Sequence, residues 1–156
     1  MRGVSRSRFP VAAGVVLIMV ASLLTAGCTS PTFGPETPYQ PPEIVVQYSR
    51  TGGIAAFDDK LVIFDNGQAV YSRRQVAGEF TLSPDELHEL RALLIAADFP
   101  SLDPSYEAPA PGADYFQYTI TYEGIAIATE TEGIPDVLVP VLARLDELLG
   151  VHAPLS

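Results

Sequence analysis

The stretch FTLSPDELHELRALLIAADFP, residues 80–100, decides how the rest of the chain is arranged. Ser83 is suited to cap a helix, Pro84 to occupy its first position, and Glu86 to complete a capping box, while Leu82 and Leu87 are spaced as a hydrophobic staple. Leu87, Leu90, Leu94 and Ala97 recur at helical spacing and form one apolar stripe, and Pro100 prevents continuation. His88 and Glu89 fall away from that stripe. A helix with one apolar side needs a surface to cover, so the flanking segments must supply it.

They read as strands. EIVVQYSRT places Ile44, Val46 and Tyr48 on one face by alternation, and Gly52-Gly53 ends or bends the run. In KLVIFDNGQAVYSRR the Asn66-Gly67 pair between two β-rich runs predicts a hairpin with a type I′ turn. After the proline-rich loop SLDPSYEAPAPGAD, the segment YFQYTITYEGIAIATET alternates again, with Phe116, Tyr118, Ile120 and Tyr122 on one face and a turn at Glu123-Gly124. Leu138, Val141, Leu142, Leu145, Leu148 and Leu149 then predict a second helix. It starts near Val137, so that Pro140 lies in the first turn, and closes at Gly150 as C-cap. The expected fold is α+β, a two-layer sandwich of order βββ-α-ββ-α. Two amphipathic helices cover one face of an antiparallel sheet of about five strands. The opposite face, with Gln117, Thr119 and Thr121, is left for solvent or a partner.

The N-terminal segment has a different logic. Arg2, Arg6 and Arg8 precede an almost wholly apolar run over 11–26, the plan of an export signal. As a helix that run spans about 24 Å, short of a hydrocarbon core of about 30 Å. It ends at Cys28, the only cysteine of the chain. Leu24-Thr25-Ala26-Gly27-Cys28 resembles the lipobox of bacterial lipoproteins, with Thr25 where Leu is usual. The resemblance implies cleavage between Gly27 and Cys28 and acylation of the thiol. Several acyl chains satisfy the two-signal requirement for stable anchoring, and the arginines keep the remainder on the extracytoplasmic side of the cell membrane. Residues 1–27 are thus read as signal peptide and 28–42 as lipidated Cys and proline-rich tether. Residues 43–150 form a single domain and 151–156 a tail. At about 3.1 Å per residue, the stretch 29–42 holds the domain up to about 43 Å from the anchor.

Without the leader, six basic residues face nineteen acidic ones, a formal net charge of about −13. Such a surface repels phosphate backbones, which argues against nucleic acid as a partner. The acidity serves solubility or a docking face for a basic partner. His88 and His152 are the only histidines, and no HExxH, GxSxG, Walker or CxxC motif occurs. No catalytic residue, metal site or cofactor is therefore assigned, and the domain is expected not to be an enzyme. Asp58, Asp59 and Asp65 do not have the spacing of an EF-hand calcium loop. Arg50, Arg73 and Arg74 lie on strands and either gather to recognise a carboxylate or pair with the surplus acids. With Gly52, Gly53 and Tyr118 they make up the candidate binding residues.

YSRTGGIAAF, FTLSPDELHELRALLIAADFPSL and GADYFQYTITYEG together resemble the emfourin-like family of small α+β proteins, loosely over Ile44 to Leu149. The leader, the tether and the proline-rich loop depart from that pattern. In the resemblance Gly52 and Gly53 serve a turn, Leu87 to Ala97 a helix stripe, and Tyr118 and Ile120 a strand. It implies inhibition of a thermolysin-like metalloprotease. Three readings stay open: an envelope lipoprotein with a non-catalytic, acidic protein-binding domain; a reversible metalloprotease inhibitor; and a small-molecule-binding or enzymatic domain. A concave pocket collecting Arg50, Arg73 and tyrosines would favour the last.

Overall fold

Leu90 and Leu94 of the quoted stretch are fully buried in the computed structural model, on a helix that runs Pro84–Ala96 (α1). The structure describes residues 39–110, 112 and 114–153. The leader, the cleavage and lipidation positions Gly27 and Cys28, and the tether up to residue 38 lie outside the described residues. The capping box is formed on both sides: the Glu86 amide donates to Ser83 Oγ at 3.3 Å, and the Ser83 amide donates to Glu86 Oε2 at 2.8 Å. Leu82 is buried, and Leu87 packs against the same core.

The strands are Ile44–Gly52 (β1), Phe57–Phe64 (β2), Gln68–Arg73 (β3), Val76–Thr81 (β4), Ser105–Tyr106 (β5), Phe116–Tyr122 (β6) and Ile125–Glu130 (β7). They form one sheet in the order β4-β3-β2-β1-β6-β7-β5. The α+β class holds, with seven strands in place of about five and the order ββββ-α-βββ-α. β4 escapes the sequence pattern because Gly78 interrupts it. In the sheet Gly78 sits opposite Tyr71, whose hydroxyl lies where a Cβ at Gly78 would be, 2.7 Å away. An aromatic ring covering a strand glycine compensates its poor intrinsic propensity. β5 is two residues inside the proline-rich loop and pairs with β7 in parallel, so the sheet is mixed.

Both hairpin turns form, with their geometries exchanged relative to expectation. At Asp65-Asn66-Gly67 only Gly67 takes the left-handed conformation (φ 85), and Gln68 N donates to Asn66 Oδ1 at 3.0 Å. The type I′ expectation fails there because three residues separate the strands, which suits a type I turn followed by a left-handed glycine. The two-residue loop Glu123-Gly124 has positive φ at both positions (50 and 79), and Tyr122 faces Ile125 across it.

The second helix is Val139–His152 (α2), starting two residues later than expected. Pro140 lies in its first turn. Gly150 is inside the helix and is not its cap; the C-cap is Ala153, whose amide donates to Leu149 O at 3.0 Å. His152, read as tail, is in the last turn, stacked on Phe80 with centroids 4.4 Å apart and 3.4 Å from Glu86. The expected apolar series of α2 is buried throughout, as are Val46, Tyr48, Leu61, Ile63, Ile120 and Ile127 of the sheet. Both helices therefore cover the same face. Arg144 of α2 bridges to Glu89 of α1 at 3.0 Å and to Glu147 at 2.8 Å.

Gly150→Ala is expected to raise stability by about 0.5–1 kcal/mol, because φ is not positive there and an added Cβ meets nothing within 4 Å; urea unfolding checks it. Hydrogen bonds from the backbone and then the hydroxyl of Ser83, with a smaller contribution from His152, hold Glu86 below the usual carboxylate range. A lowered folded-state pKa gives stability that is present above about pH 4.5 and lost as pH falls through the folded value. Ser83→Ala should cost about 1 kcal/mol at neutral pH and less at pH of about 3, read from urea midpoints across that range.

Candidate functional site

Asp59 has 0 % exposure and carries a charge, which is costly unless guanidinium groups face it. The strand register supplies them. One cross-strand row on the helix-facing side reads Arg73, Asp59, Arg50, Tyr118, Thr129, running from β3 through β2, β1 and β6 to β7. Arg50 Nη2 meets Asp59 Oδ2, and Arg73 Nε and Nη2 donate to the two Asp59 oxygens at 3.3 Å. The charges alternate along the row.

α2 lies over this row and is tied to it at three points. Arg73 Nη1 donates to the carbonyls of Leu149 and Ala153 at 3.2 and 2.6 Å; Leu149 O also accepts from the Ala153 amide, while Ala153 O lies past the last turn, where carbonyls have no intrahelical donor. Arg50 Nη1 bridges Asp146 at 3.0 Å, and the Tyr48 hydroxyl donates to the same carboxylate at 2.6 Å. Burial opposes the charge on Arg50, yet the hydrogen bond to Asp59 and the field of Asp146 offset it and raise its pKa. Burial pushes the Tyr48 phenol far above the ordinary tyrosine range, with Asp146 reinforcing it, and raises Tyr118 in the same way. The Tyr48 phenol, kept neutral, is the donor to Asp146.

Arg50, Arg73 and Tyr118 come together, but in a neutralised, buried row that leaves no open basic pocket. Of the two alternatives, the structure shows pairing with the surplus acids for Arg50 and Arg73: the carboxylates are the chain's own Asp59 and Asp146. Arg74, Gly52 and Gly53 gather at the adjoining end of the sheet. Gly52 and Gly53 hold positive φ, and a Cβ on Gly52 would lie 2.6 Å from Tyr115 O. The Gly53 amide donates to the same carbonyl at 3.1 Å. Arg74 donates to Ala55 O at 2.9 Å and lies over the Phe57 ring, as Arg50 does over Phe57 and Phe116. These contacts brace the loop 53–56, whose Ile54 is 86 % exposed.

Asp59, Asp146, Tyr48, Phe57 and Phe116 were absent from the candidate residues. Asp59 shares strand parity with Leu61 and Ile63, and Arg73 with Ala69 and Tyr71, which is the signal that places both inward. The contact to Asp146 spans the gap from β1 to α2 and has no local signature. Asp58 is exposed beside Lys60, and Asp65 is in the hairpin turn, where it accepts from Glu43 N at 3.0 Å. Among the described residues no group of three or more His, Cys, Asp or Glu is arranged to hold a metal ion, and no helix is long and apolar enough to cross a membrane.

Among the described residues, no helix lies on the other face of the sheet. One row runs Ala77, Ser72, Lys60, Ser49, Thr119, Ala128, Ser105 across all seven strands, and beside it runs Asp58, Thr51, Gln117, Glu130. Hydroxyl, amide and acidic side chains make these rows mainly polar, and a third row, Glu79, Val70, Val62, Gln47, Thr121, Ala126, adds two valines. Two shallow cavities of about 250 and 350 Å³ open on it towards β5, both walled by Glu107, Gln117 and Glu130. No protein-family model and no curated protein matches the chain.

Removing Asp59 leaves buried Arg73 without a carboxylate and Arg50 with Asp146 alone, so Asp59→Ala should cost about 3–5 kcal/mol in urea unfolding. Replacing the whole set, Arg50→Met with Asp59→Leu and Arg73→Met, should recover most of that loss. A raised tyrosine pKa gives stability that is present below about pH 10 and lost as pH rises. In an ultraviolet absorbance titration, ionisation of Tyr48 and Tyr118 should coincide with loss of the folded circular dichroism signal.

Proposed function

We propose that the chain is a lipid-anchored cell-envelope protein whose acidic, non-catalytic domain binds another protein through the helix-free face of its sheet. The observation that carries this reading is the polar face left uncovered across seven strands. Six inter-strand spacings of about 4.8 Å by strands of about 20 Å give roughly 580 Å² of level surface. A standard protein interface takes about 800 Å² per partner, so the face with its rim approaches that size. The charged side chains of the helix-facing side of the sheet are paired with one another beneath α2, whereas the outward rows of the sheet present acids without that pairing. The lipobox-like LTAGC motif and the proline-rich tether support placement outside the cytoplasm, anchored through Cys28.

In intact cells, a photo-crosslinking residue at Thr119 should capture a defined partner, whereas one at His88 on α1 should not. Mass spectrometry should find an acylated Cys28 as the N-terminus, lost in Cys28→Ser. An unprocessed Met1 terminus, or equal capture from both positions, would sink the reading.

A second reading draws on Ile54. An exposed apolar side chain on a loop braced by Gly53, Arg74 and Phe57 suits insertion into the cleft of a thermolysin-like metalloprotease, the role implied by the emfourin-like resemblance. It requires that the full chain inhibit thermolysin reversibly and in stoichiometric amount. Ile54→Asp should weaken inhibition at least tenfold, and an unchanged inhibition constant counts against the loop.

A further inference from the structure

The chemistry of the open face points to one kind of occupant. Its charged side chains are Asp58, Glu79, Glu107 and Glu130 against Lys60 alone, and Lys60 is already 3.6 Å from Asp58. Lys60 and Asp58 are both more than half exposed, so their attraction is largely screened. No cation lines either cavity at the β5 side, although Glu107 and Glu130 wall both. Glu130 is held in place by the Ala108 amide, which donates to its Oε2 at 3.0 Å, and Tyr115 adds an aromatic wall to the larger cavity. Two acidic residues around one recess, with no cation among its lining residues, favour a cationic group there. The aromatic wall favours it further.

Geometry narrows the partner's shape. Asp58 and Glu130 end one cross-strand row with Thr51 and Gln117 between them, three inter-strand spacings or about 14 Å apart. An extended chain laid across the strands repeats its side chains on one side every second residue, so positions i and i+4 are about 13 Å apart. Thr51 and Gln117, between the acids, carry no charge to oppose such a chain and can hydrogen-bond to it.

We propose, resting on the reading of the open face given above, that this face docks a basic, extended segment of the partner protein. Its lysine or arginine side chains, spaced four residues apart, engage Asp58 and the Glu107–Glu130 recess. The partner is thus a protein with a cationic strand or tail, and the interaction weakens steeply with salt.

The test uses the full-length protein in nonionic detergent and a fluorescent Thr/Ser peptide of about a dozen residues with lysine at every fourth position, read by anisotropy. Saturable binding that weakens as salt rises is expected, absent for the same peptide with glutamate in place of lysine. Glu107→Gln with Glu130→Gln should weaken it about tenfold while the melting temperature stays unchanged, since glutamine keeps an acceptor for Ala108. The helix-layer pair Asp85→Asn with Glu89→Gln removes the same charge and should change affinity by less than about twofold. Equal weakening by both pairs would show diffuse acidity and overturn the proposal, as would no binding at millimolar peptide. If the peptide fails while Thr119 still crosslinks in cells, the cationic partner is wrong and the face reading stands; if both fail, both fall.

Discussion

A single buried carboxylate organises this domain. Asp59 sits at the middle of a charged row and touches two arginines that reach in opposite directions, one to Asp146 and one to the last carbonyls of α2. The sheet register and the helix position are thereby linked through one side chain. Slipping β2 by one residue would turn Asp59 to the open face and Lys60 inward, facing Arg50 and Arg73 across the row. Hydrophobic burial supplies most of the stabilisation, but leucines tolerate small displacements that a hydrogen-bonded ion triad does not. We regard specificity of register as the role of the triad.

The consequence for the other face is direct. With both helices, their ion pairs and the aromatic side chains of β1, β3 and β6 committed to one side, the domain's second surface consists of the outward half of seven strands. Small hydroxyl residues there do not form a core and do not attract an internal layer. They suit contact with a second molecule that brings its own shape and charge.

How far the residues announced this differs from place to place. The helix at Ser83 was legible to the level of individual hydrogen bonds, because capping is a local interaction among four residues. The stripe of α2 was legible from its spacing, whereas its C-terminus was not: Gly150 is a conventional stop signal, and Arg73, distant in sequence, donates to the carbonyls of Leu149 and Ala153 at the end of a helix that runs two residues further. β4 and β5 were hidden behind Gly78 and the proline-rich loop. Tyr71 and β7 respectively make those segments strands, the first across the adjoining hairpin and the second from further along the chain. For Arg50 and Arg73 the residues left open whether they recognise a carboxylate or pair with the chain's own acids, and strand register decided for pairing.

By itself the sequence determined the α+β class, the two helix stripes and most of the strands, because each follows from periodicity and turn chemistry within a dozen residues. It also carries the lipobox-like leader, a local motif. The tertiary structure alone decided that Arg73, Asp59 and Arg50 fall in one cross-strand row, that α2 lies over them, and that Glu107 and Glu130 share a recess. Those facts depend on strand register and on packing between elements far apart in the chain. Opposite charges brought out of water must find each other there, and no stretch of sequence read alone records which ones do.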